Sequence, residues 1–243
     1  MDDLGPILLI IIVGAVVLIG AILAHQAAEK RRQALWSLAT ELGLDFNPGK
    51  ESPESEHSLF GCFKKGHSNR AMNTMRGDLE LFGRPCPCLL GDFEYKVTRQ
   101  SGKSRSTTTY RFSYAMFRVP WEVPQFAIRR EHVLDKLAGA LGFDDIDFES
   151  EEFSRRFHVK CADKKFAYDV IHPRMMEFLL ASPHAPIELV GSWCIITDGS
   201  SRWRPEEFRA AAEFARGFFG RWPEHLVRDL ESRRAGGGMR LPT

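Results

Sequence analysis

The chain has 243 residues, of which 44% are hydrophobic and 27% are charged, with 33 Lys and Arg against 32 Asp and Glu. This composition excludes a disordered chain, a collagen-like repeat and a polytopic membrane protein, and the length allows one or two domains. The formal net charge of +1 argues against a dedicated nucleic-acid-binding protein, which normally carries a strong basic excess. We therefore expect no nucleic-acid partner.

An unbroken apolar segment occupies the N-terminus. Residues 7–24 contain no charged or strongly polar side chain, and about 18 residues at about 1.5 Å each form a helix about 27 Å long, close to the thickness of a bilayer core. Two aspartates precede this segment, whereas Lys30, Arg31 and Arg32 follow it. The positive-inside rule therefore predicts an N-terminus outside the membrane and a C-terminal body in the cytoplasm, with the lipid bilayer as a partner.

A cleaved signal peptide is the alternative interpretation of this segment. Signal peptides begin with a basic region and have a shorter apolar core, whereas this N-terminus is acidic and its apolar core is longer. No later apolar stretch approaches the length of a span. We predict an uncleaved signal-anchor and a single-pass membrane protein.

The anchor is expected to continue as one helix. Residues 25–42 contain neither Gly nor Pro and are rich in strong helix formers, and Gly43 stands where a C-terminal cap is expected. Residues 47–58 combine Pro, Gly, Ser and charge without apolar periodicity, which is typical of a loop. We predict one helix from about Pro6 to Leu42, followed by this loop.

Strand signals dominate the first part of the body. Residues 88–98 and 108–119 alternate apolar and polar side chains and predict a hairpin, and their connection, 99–107, holds three cations and no acid. Residues 187–190 and 193–197, joined by Gly and Ser, predict a second hairpin. The remaining predicted strands are 59–63, 70–75, 79–82, 125–129 and 157–161.

Helix signals dominate the second part. Apolar periodicity predicts a helix at 133–141, Ser150 and Asp163 are placed to cap two short helices, and Pro173 and Pro205 to open two more. The last of these carries an apolar stripe that we interpret as a core face. The pattern predicts an α+β fold with a mainly antiparallel sheet and packed C-terminal helices.

These boundaries divide the chain into three predicted parts. Residues 1–46 form the transmembrane anchor and its helical extension, residues 47–231 form a cytoplasmic α+β domain, and residues 232–243 form a disordered tail. The tail is rich in Gly and Arg and lacks a run of core residues.

Five cysteines are an odd number for a domain placed in a reducing compartment, so we expect no structural disulfide. Cys86 and Cys88 are weak candidates for binding a soft metal, with Cys62 or His67 completing a tetrahedral set. Zinc sites normally separate paired cysteines by two to four residues, so buried apolar thiols and no metal site are the favoured interpretation.

No familiar catalytic pattern is present. The His-Glu-x-x-His motif, the Gly-x-Ser-x-Gly nucleophile elbow and a phosphate-binding glycine loop between a strand and a helix are all absent from the sequence. We therefore assign no catalytic residue and no cofactor.

Cations cluster at the membrane exit and in the connection of the first predicted hairpin. Each contributes about 1 kcal/mol near an anionic membrane surface, although exposed cations are also common on ordinary soluble surfaces. We predict contact with lipid headgroups or phosphate at Lys30, Arg31, Arg32, Arg99, Lys103 and Arg105.

Several segments of the chain are similar to a family of uncharacterised bacterial single-pass membrane-anchored proteins. They include the Arg-Arg-x-Ala-Leu run from Arg31 and the Leu-Gly-Leu-x-Phe run from Leu42. They continue with residues 147–159, the Pro-Arg-Met-Met run from Pro173, and residues 188–193. The resemblance implies a location in the bacterial cell inner membrane and supplies no catalytic residue.

We predict a membrane-tethered cytoplasmic adaptor that contacts anionic lipid headgroups and a membrane or cytoplasmic protein partner. The alternative is a membrane-bound hydrolase or transferase whose site residues are dispersed along the sequence. Convergent polar side chains in a deep pocket would favour the enzyme, whereas a basic face near Lys30 would favour the adaptor.

Overall fold

The computed structural model describes residues 4–102, 104–130, 145–182 and 186–237. The predicted helix at 133–141 and the predicted cation Lys103 lie outside this range. The secondary structure follows the order α1 (Leu4–Leu42), β1 (Asp45–Glu51), two 3-10 turns (Ser55–Leu59 and Gly61–Lys64), β2 (His67–Leu81), β3 (Arg84–Ser101), β4 (Ser104–Arg130), α2 (Glu151–Arg156), β5 (Phe157–Cys161), α3 (Lys164–Val170), α4 (Pro173–Ala181), β6 (Ile187–Ile196), α5 (Pro205–Phe219) and α6 (Glu224–Gly237).

The N-terminal helix is continuous, as predicted. It has 39 residues, and it is the one helix among the described residues that is long and apolar enough to cross a membrane. Large aliphatic side chains such as Leu9, Val17 and Leu23 are exposed all around its first half, whereas Leu35 and Leu38 near its end are buried against the body. A surface so apolar is stable when lipid covers it.

A six-stranded antiparallel sheet forms the body. Strands β1 to β5 follow one another in spatial order. Strand β4 pairs with β3 in its first half and with β5 at its end, and β6 also pairs with β4. The helices that follow β4 in the chain pack on one face of the sheet. The α+β layout predicted from the sequence is therefore confirmed.

Two apolar cores lie on opposite faces of the sheet. The larger core joins the sheet to the end of α1 and to α3, α4, α5 and α6, and it includes the predicted stripe of α5. The smaller core lies under the 3-10 turns and contains Phe60, Phe63, Phe93 and Phe112. The alternation of residues along β3 and β4 supplies both cores, because successive side chains point to opposite faces.

A buried histidine anchors the 3-10 turns to the smaller core. The backbone N–H of Glu54 donates to Nδ1 of His57 at 3.0 Å, and Nε2 of His57 lies 2.8 Å from the hydroxyl of Tyr114. Because Nδ1 accepts, Nε2 carries the proton and donates to Tyr114. Burial lowers the pKa of His57 below its ordinary value.

Several predicted boundaries are wrong. Part of the predicted loop at 47–58 forms the edge strand β1, where a register shift after Asn47 accommodates Pro48 without a ladder hydrogen bond from its nitrogen. Residues 59–63 form 3-10 turns rather than a strand. The predicted strands 70–75 and 79–82 are a single strand, β2.

Strands β4 and β6 are also longer than predicted. Strand β4 continues through Pro120 and Pro124, with register shifts on either side of Val123. The predicted second hairpin is wrong, because Gly191 lies inside the single strand β6, with a φ of 59°, and pairs with Val123 of β4. A glycine at positive φ marks a bulge here rather than a turn.

The predicted starts of four helices are confirmed. The hydroxyl of Ser150 accepts from the N–H of Phe153, and the carboxylate of Asp163 accepts from two N–H groups of α3. Pro173 and Pro205 stand at the first position of α4 and α5. Helix α6 extends to Gly237, beyond residue 232 where the tail was predicted to begin.

Candidate membrane-facing site

Helix α1 packs mainly on β1 and β2, and two contacts show that its chain direction is opposite to that of β3. Leu44, just after the helix, lies against Gly77, which pairs with Cys88 of β3. Arg31, more than three turns earlier in the helix, contacts Asp92, four residues later in β3. Beyond Asp92, strand β3 therefore continues toward the membrane-spanning half of α1.

A buried ion pair fixes the helix to the sheet at this point. The guanidinium of Arg31 donates to both carboxylate oxygens of Asp92, with Nε to Oδ2 at 2.7 Å and Nη2 to Oδ1 at 2.6 Å. The Asp92 side chain is 0% exposed and that of Arg31 is 17% exposed. This bidentate geometry is the strongest arrangement available to an arginine and a carboxylate.

Neighbouring polar groups complete the hydrogen bonding of this pair. Asn73 and Ser113 donate to the Asp92 carboxylate at 2.9 and 2.6 Å, and Arg31 also donates to the carbonyl oxygen of Trp203 at 2.7 Å. Asn73 adopts a φ of 49° at a register shift between β2 and β3. Three elements, α1, β2 and β4, thus donate to one carboxylate, and Arg31 also bonds to the segment before α5.

A second acidic residue lies two positions closer to the hairpin tip on the same face of β3. Glu94 accepts from Lys50 of β1 and from Arg111 of β4, both at 2.6 Å. Burial opposes ionisation of Glu94, but the hydrogen bonds from Lys50 and Arg111 outweigh it and hold the pKa below its ordinary value. Glu94 is the last acid before the hairpin tip, since no Asp or Glu occurs from residue 95 to residue 121.

The outer part of the β3–β4 hairpin extends well past this layer. Asp92 and Ser101 are nine residues apart, which corresponds to about 30 Å of strand. In α1, Arg31 and Ala24 are separated by about 10 Å of helix. Measured along the axis of α1, the hairpin tip therefore extends at least as far as Ala24 for any angle below about 70° between the axes of β3 and α1.

The tip of the hairpin is exposed and basic. Register pairs Arg99 with Ser106 and Gln100 with Arg105, which places Arg99 and Arg105 on opposite faces of the ribbon. Both arginines are exposed, and Gly102 takes a φ of 57° in the turn. The predicted connection 99–107 is therefore mostly paired strand with a tight turn, because the two strands continue to the tip.

Threonines and tyrosines lie between this tip and the core. The hydroxyls of Thr98 and Thr107 lie 2.9 Å apart, and Nε2 of His67 lies 2.9 Å from the Thr98 hydroxyl. Tyr95 and Tyr110 stack with ring centroids 5.2 Å apart, and Tyr110 is partly exposed. Hydroxyl groups, tyrosine rings and cations together are characteristic of protein surfaces at a membrane interface.

The structure separates the six predicted cations into different environments. Lys30 and Arg32 are exposed just after the apolar segment, and Arg32 pairs with Glu29 at 3.2 Å. Arg99 and Arg105 are exposed at the hairpin tip. The guanidinium of Arg31 is bound to Asp92 and only 17% of its side chain is exposed, whereas lipid contact at the six positions stays a prediction.

The two weak metal candidates are packed in the larger core. Cys86 and Cys88 are buried side chains, and burial raises the pKa of Cys86 and raises that of Cys88 to about 12, so both thiols keep their protons. Cys62 belongs to the smaller core on the other face of the sheet, and His67 is bonded to Thr98. The proposed ligand set is therefore not assembled.

Asp92 and Glu94 are the site residues that sequence reasoning missed. Both occupy inward-facing positions of a strand, where an acid is rarely found without a partner. That pattern was visible in the sequence as two carboxylates within an otherwise apolar strand. Their partners come from α1, β1, β2 and β4, and these long-range contacts were not visible.

Together these features define a class: an α+β body on a single apolar helix, with a basic hairpin directed toward that helix's apolar half. No family model matches the chain, and no curated protein matches it. Among solved structures, the crystal structure of the mycobacterial trehalose monomycolate transport factor A, TtfA, is similar, with a TM-score of 0.56 and 12% identity. The match covers 84% of this chain and 96% of that chain. At this identity the likeness shows a shared fold.

Proposed function

We propose that this protein is a membrane-tethered, non-enzymatic interaction module whose β3–β4 hairpin contacts anionic lipid headgroups from the cytoplasmic side. The observation that carries the proposal is the direction of the hairpin. The Arg31–Asp92 pair sets β3 alongside α1, and the exposed, acid-free tip follows on the membrane side of that pair. The lipid contact and the cytoplasmic orientation are the parts that experiment must test.

The charge distribution supports a tip-first approach to the bilayer. A ribbon that lies flat on a membrane would carry its cations on one face, whereas Arg99 and Arg105 lie on opposite faces of this ribbon. Each contributes about 1 kcal/mol near an anionic leaflet. Because α1 tethers the body, the tip meets the membrane at high effective concentration, so weak contacts suffice.

The fold supports an interaction role for the whole body. A protein of the same fold is named as a transport factor for trehalose monomycolate, and transport factors act through the molecules that they contact. A body held at a fixed orientation above the membrane is suited to binding a membrane or cytoplasmic protein partner. The resemblance to bacterial membrane-anchored proteins supports the inner membrane as the location that we propose for this module.

The lipid contact is tested with a fluorescent probe at the hairpin tip of the full chain. All five native cysteines are buried, so S101C introduces one accessible thiol for an environment-sensitive dye. The labelled protein is placed in nanodiscs of phosphatidylcholine alone or with phosphatidylserine. We expect a blue shift of the dye emission in the anionic discs. Identical emission in both kinds of disc would contradict the lipid contact.

A charge-matched pair of variants assigns that shift to the tip. R99Q/R105Q removes two cations at the tip and should abolish the shift, because about 2 kcal/mol of attraction is lost. R155Q/R228Q removes two exposed cations elsewhere on the body and should keep it. An equal loss in both variants would show that only the overall charge matters.

The orientation is tested separately. A reporter fused after Thr243 should be active only in the cytoplasm, as the cations after the apolar segment predict. Periplasmic activity would overturn the cytoplasmic placement and, with it, the identity of the leaflet that the hairpin faces.

A further inference from the structure

A second basic region lies at the opposite end of strand β3. It is a cleft of about 820 Å³ between the start of β3, the middle of β4 and the last turns of α6. Arg84, at this end of β3, is eight residues from Asp92 in the direction away from the hairpin tip, or about 26 Å of strand. The cleft therefore faces away from the membrane surface that the hairpin approaches.

Four arginines line this cleft. Arg118 of β4 and Arg233 and Arg234 of α6 are exposed, and none of the three has an ion pair among the described residues. Arg84 pairs weakly with Glu231 at 3.5 Å, and Glu122 is the one acid in the lining. Four guanidiniums against two carboxylates leave a local excess of two positive charges.

A tryptophan in the lining carries an unsatisfied hydrogen-bond donor. Trp121 is 2% exposed, and its indole Nε1 has no acceptor within the described part of the chain. The guanidinium of Arg84 lies 5.1 Å from the Trp121 ring centroid, and Trp222 stacks with the same ring at 6.3 Å. The ring is thus held in place and forms a fixed part of the cleft wall, with its Nε1 buried. The Nε1 of Trp222, which does not line the cleft, is unpaired in the same way, so the arginines are what distinguish this cleft.

We propose that this cleft binds a small soluble ligand through a diphosphate or polyphosphate group. Phosphoryl oxygens accept the paired N–H groups of arginine. A local excess of two charges matches a multiply charged group better than a single carboxylate. The volume is within the range of sites that hold small molecules.

The test is calorimetric titration of the full chain in phosphatidylcholine nanodiscs with sodium pyrophosphate, and with inorganic phosphate for comparison. We expect pyrophosphate to bind at one site per chain and inorganic phosphate to bind more weakly. No heat with pyrophosphate would overturn the proposal. Tighter binding of a polyglutamate peptide than of pyrophosphate would also overturn it, in favour of an acidic protein segment.

Variants locate the binding. R118Q and R233Q should each weaken pyrophosphate binding about tenfold, because each removes a charge-assisted hydrogen bond. R228Q, an equal loss of charge on the outer face of the same helix as Arg233, should leave it unchanged. Unchanged binding in both R118Q and R233Q would contradict the site. R99Q/R105Q should bind pyrophosphate normally, so this result is independent of the lipid contact.

Discussion

The two ends of strand β3 are both bordered by arginines, but they present them in opposite ways. At the hairpin end, Arg99 and Arg105 project from a narrow ribbon with no acid nearby in the sequence. At the other end, arginines from three elements converge on a concave surface beside a buried indole. Protruding cations suit an extended anionic surface, whereas converging cations suit one compact anion. The number of arginines alone therefore does not indicate the type of partner. The shape of the surface on which the arginines lie does.

Between the two ends lies Arg31, which belongs to neither basic region. Arg31 is one residue from exposed cations on either side along α1, yet its guanidinium is bound to Asp92. Because this pair joins the helix to the sheet, it relates the direction of β3 to that of the apolar helix. The comparison of the two ends therefore depends on this contact.

The largest expected effect comes from breaking that contact. D92A removes the carboxylate and leaves the part-buried Arg31 without its partner, which should lower the free energy of unfolding by about 3–5 kcal/mol. The measurement is urea unfolding of the full chain in detergent micelles. The same substitution should also remove the difference in dye emission between anionic and neutral discs, because the hairpin loses its fixed direction.

An exposed aspartate provides the matched control for this prediction. Asp78 lies on β2 and is exposed, so D78A should change the free energy of unfolding by less than about 0.5 kcal/mol. A change for D92A no larger than that for D78A would refute the anchoring role of the Arg31–Asp92 pair.

The second prediction separates the two ends by their response to salt. Raising the ionic strength from about 0.01 M to about 1 M shortens the Debye length from about 30 Å to about 3 Å. The exposed hairpin tip should lose its preference for anionic discs under this change. Pyrophosphate binding in the cleft should weaken less, because partly enclosed charge pairs are screened less. Equal salt dependence of the two would remove the distinction between a protruding and a concave site.

A smaller effect is expected in the smaller core. Y114F removes the hydroxyl that accepts from Nε2 of His57 and leaves that buried N–H unpaired, which should cost about 1–3 kcal/mol. Thermal unfolding of the full chain measures this cost. A stability equal to that of the unmodified chain would indicate that the hydrogen bond contributes nothing.

The smallest effect concerns pH. The folded-state pKa of His57 lies below its ordinary value of 6.5, so below about pH 6.5 the unfolded chain binds a proton that the folded chain does not. Stability from this group is therefore complete above pH 6.5 and is lost as the pH falls toward the folded-state pKa. Urea unfolding at pH 7.5 and at pH 5.5 should show a larger loss for the unmodified chain than for H57Q. Equal losses in the two proteins would assign the pH dependence to other groups.

Local signals predicted much of this fold, and long-range pairing produced the differences. The hairpin of β3 and β4 and the starts of α2, α3, α4 and α5 depend on alternation, caps and prolines within a few residues. The edge strand β1 was missed because a proline is tolerated where one side of a strand has no neighbour. Strand β6 was read as a hairpin because Gly-Ser resembles a turn until the partner strand is known.

The amino-acid sequence by itself determined the apolar N-terminal helix, the α+β class and the basic hairpin. These depend on hydropathy and periodicity, which act over short distances along the chain. Only the tertiary structure decided that Arg31 is bound to a carboxylate, that the hairpin tip lies beyond that pair on β3, and that four arginines meet beside Trp121. Each of these joins residues that are far apart in sequence, and the energy of a charged group depends on the burial and the partners that folding brings to it.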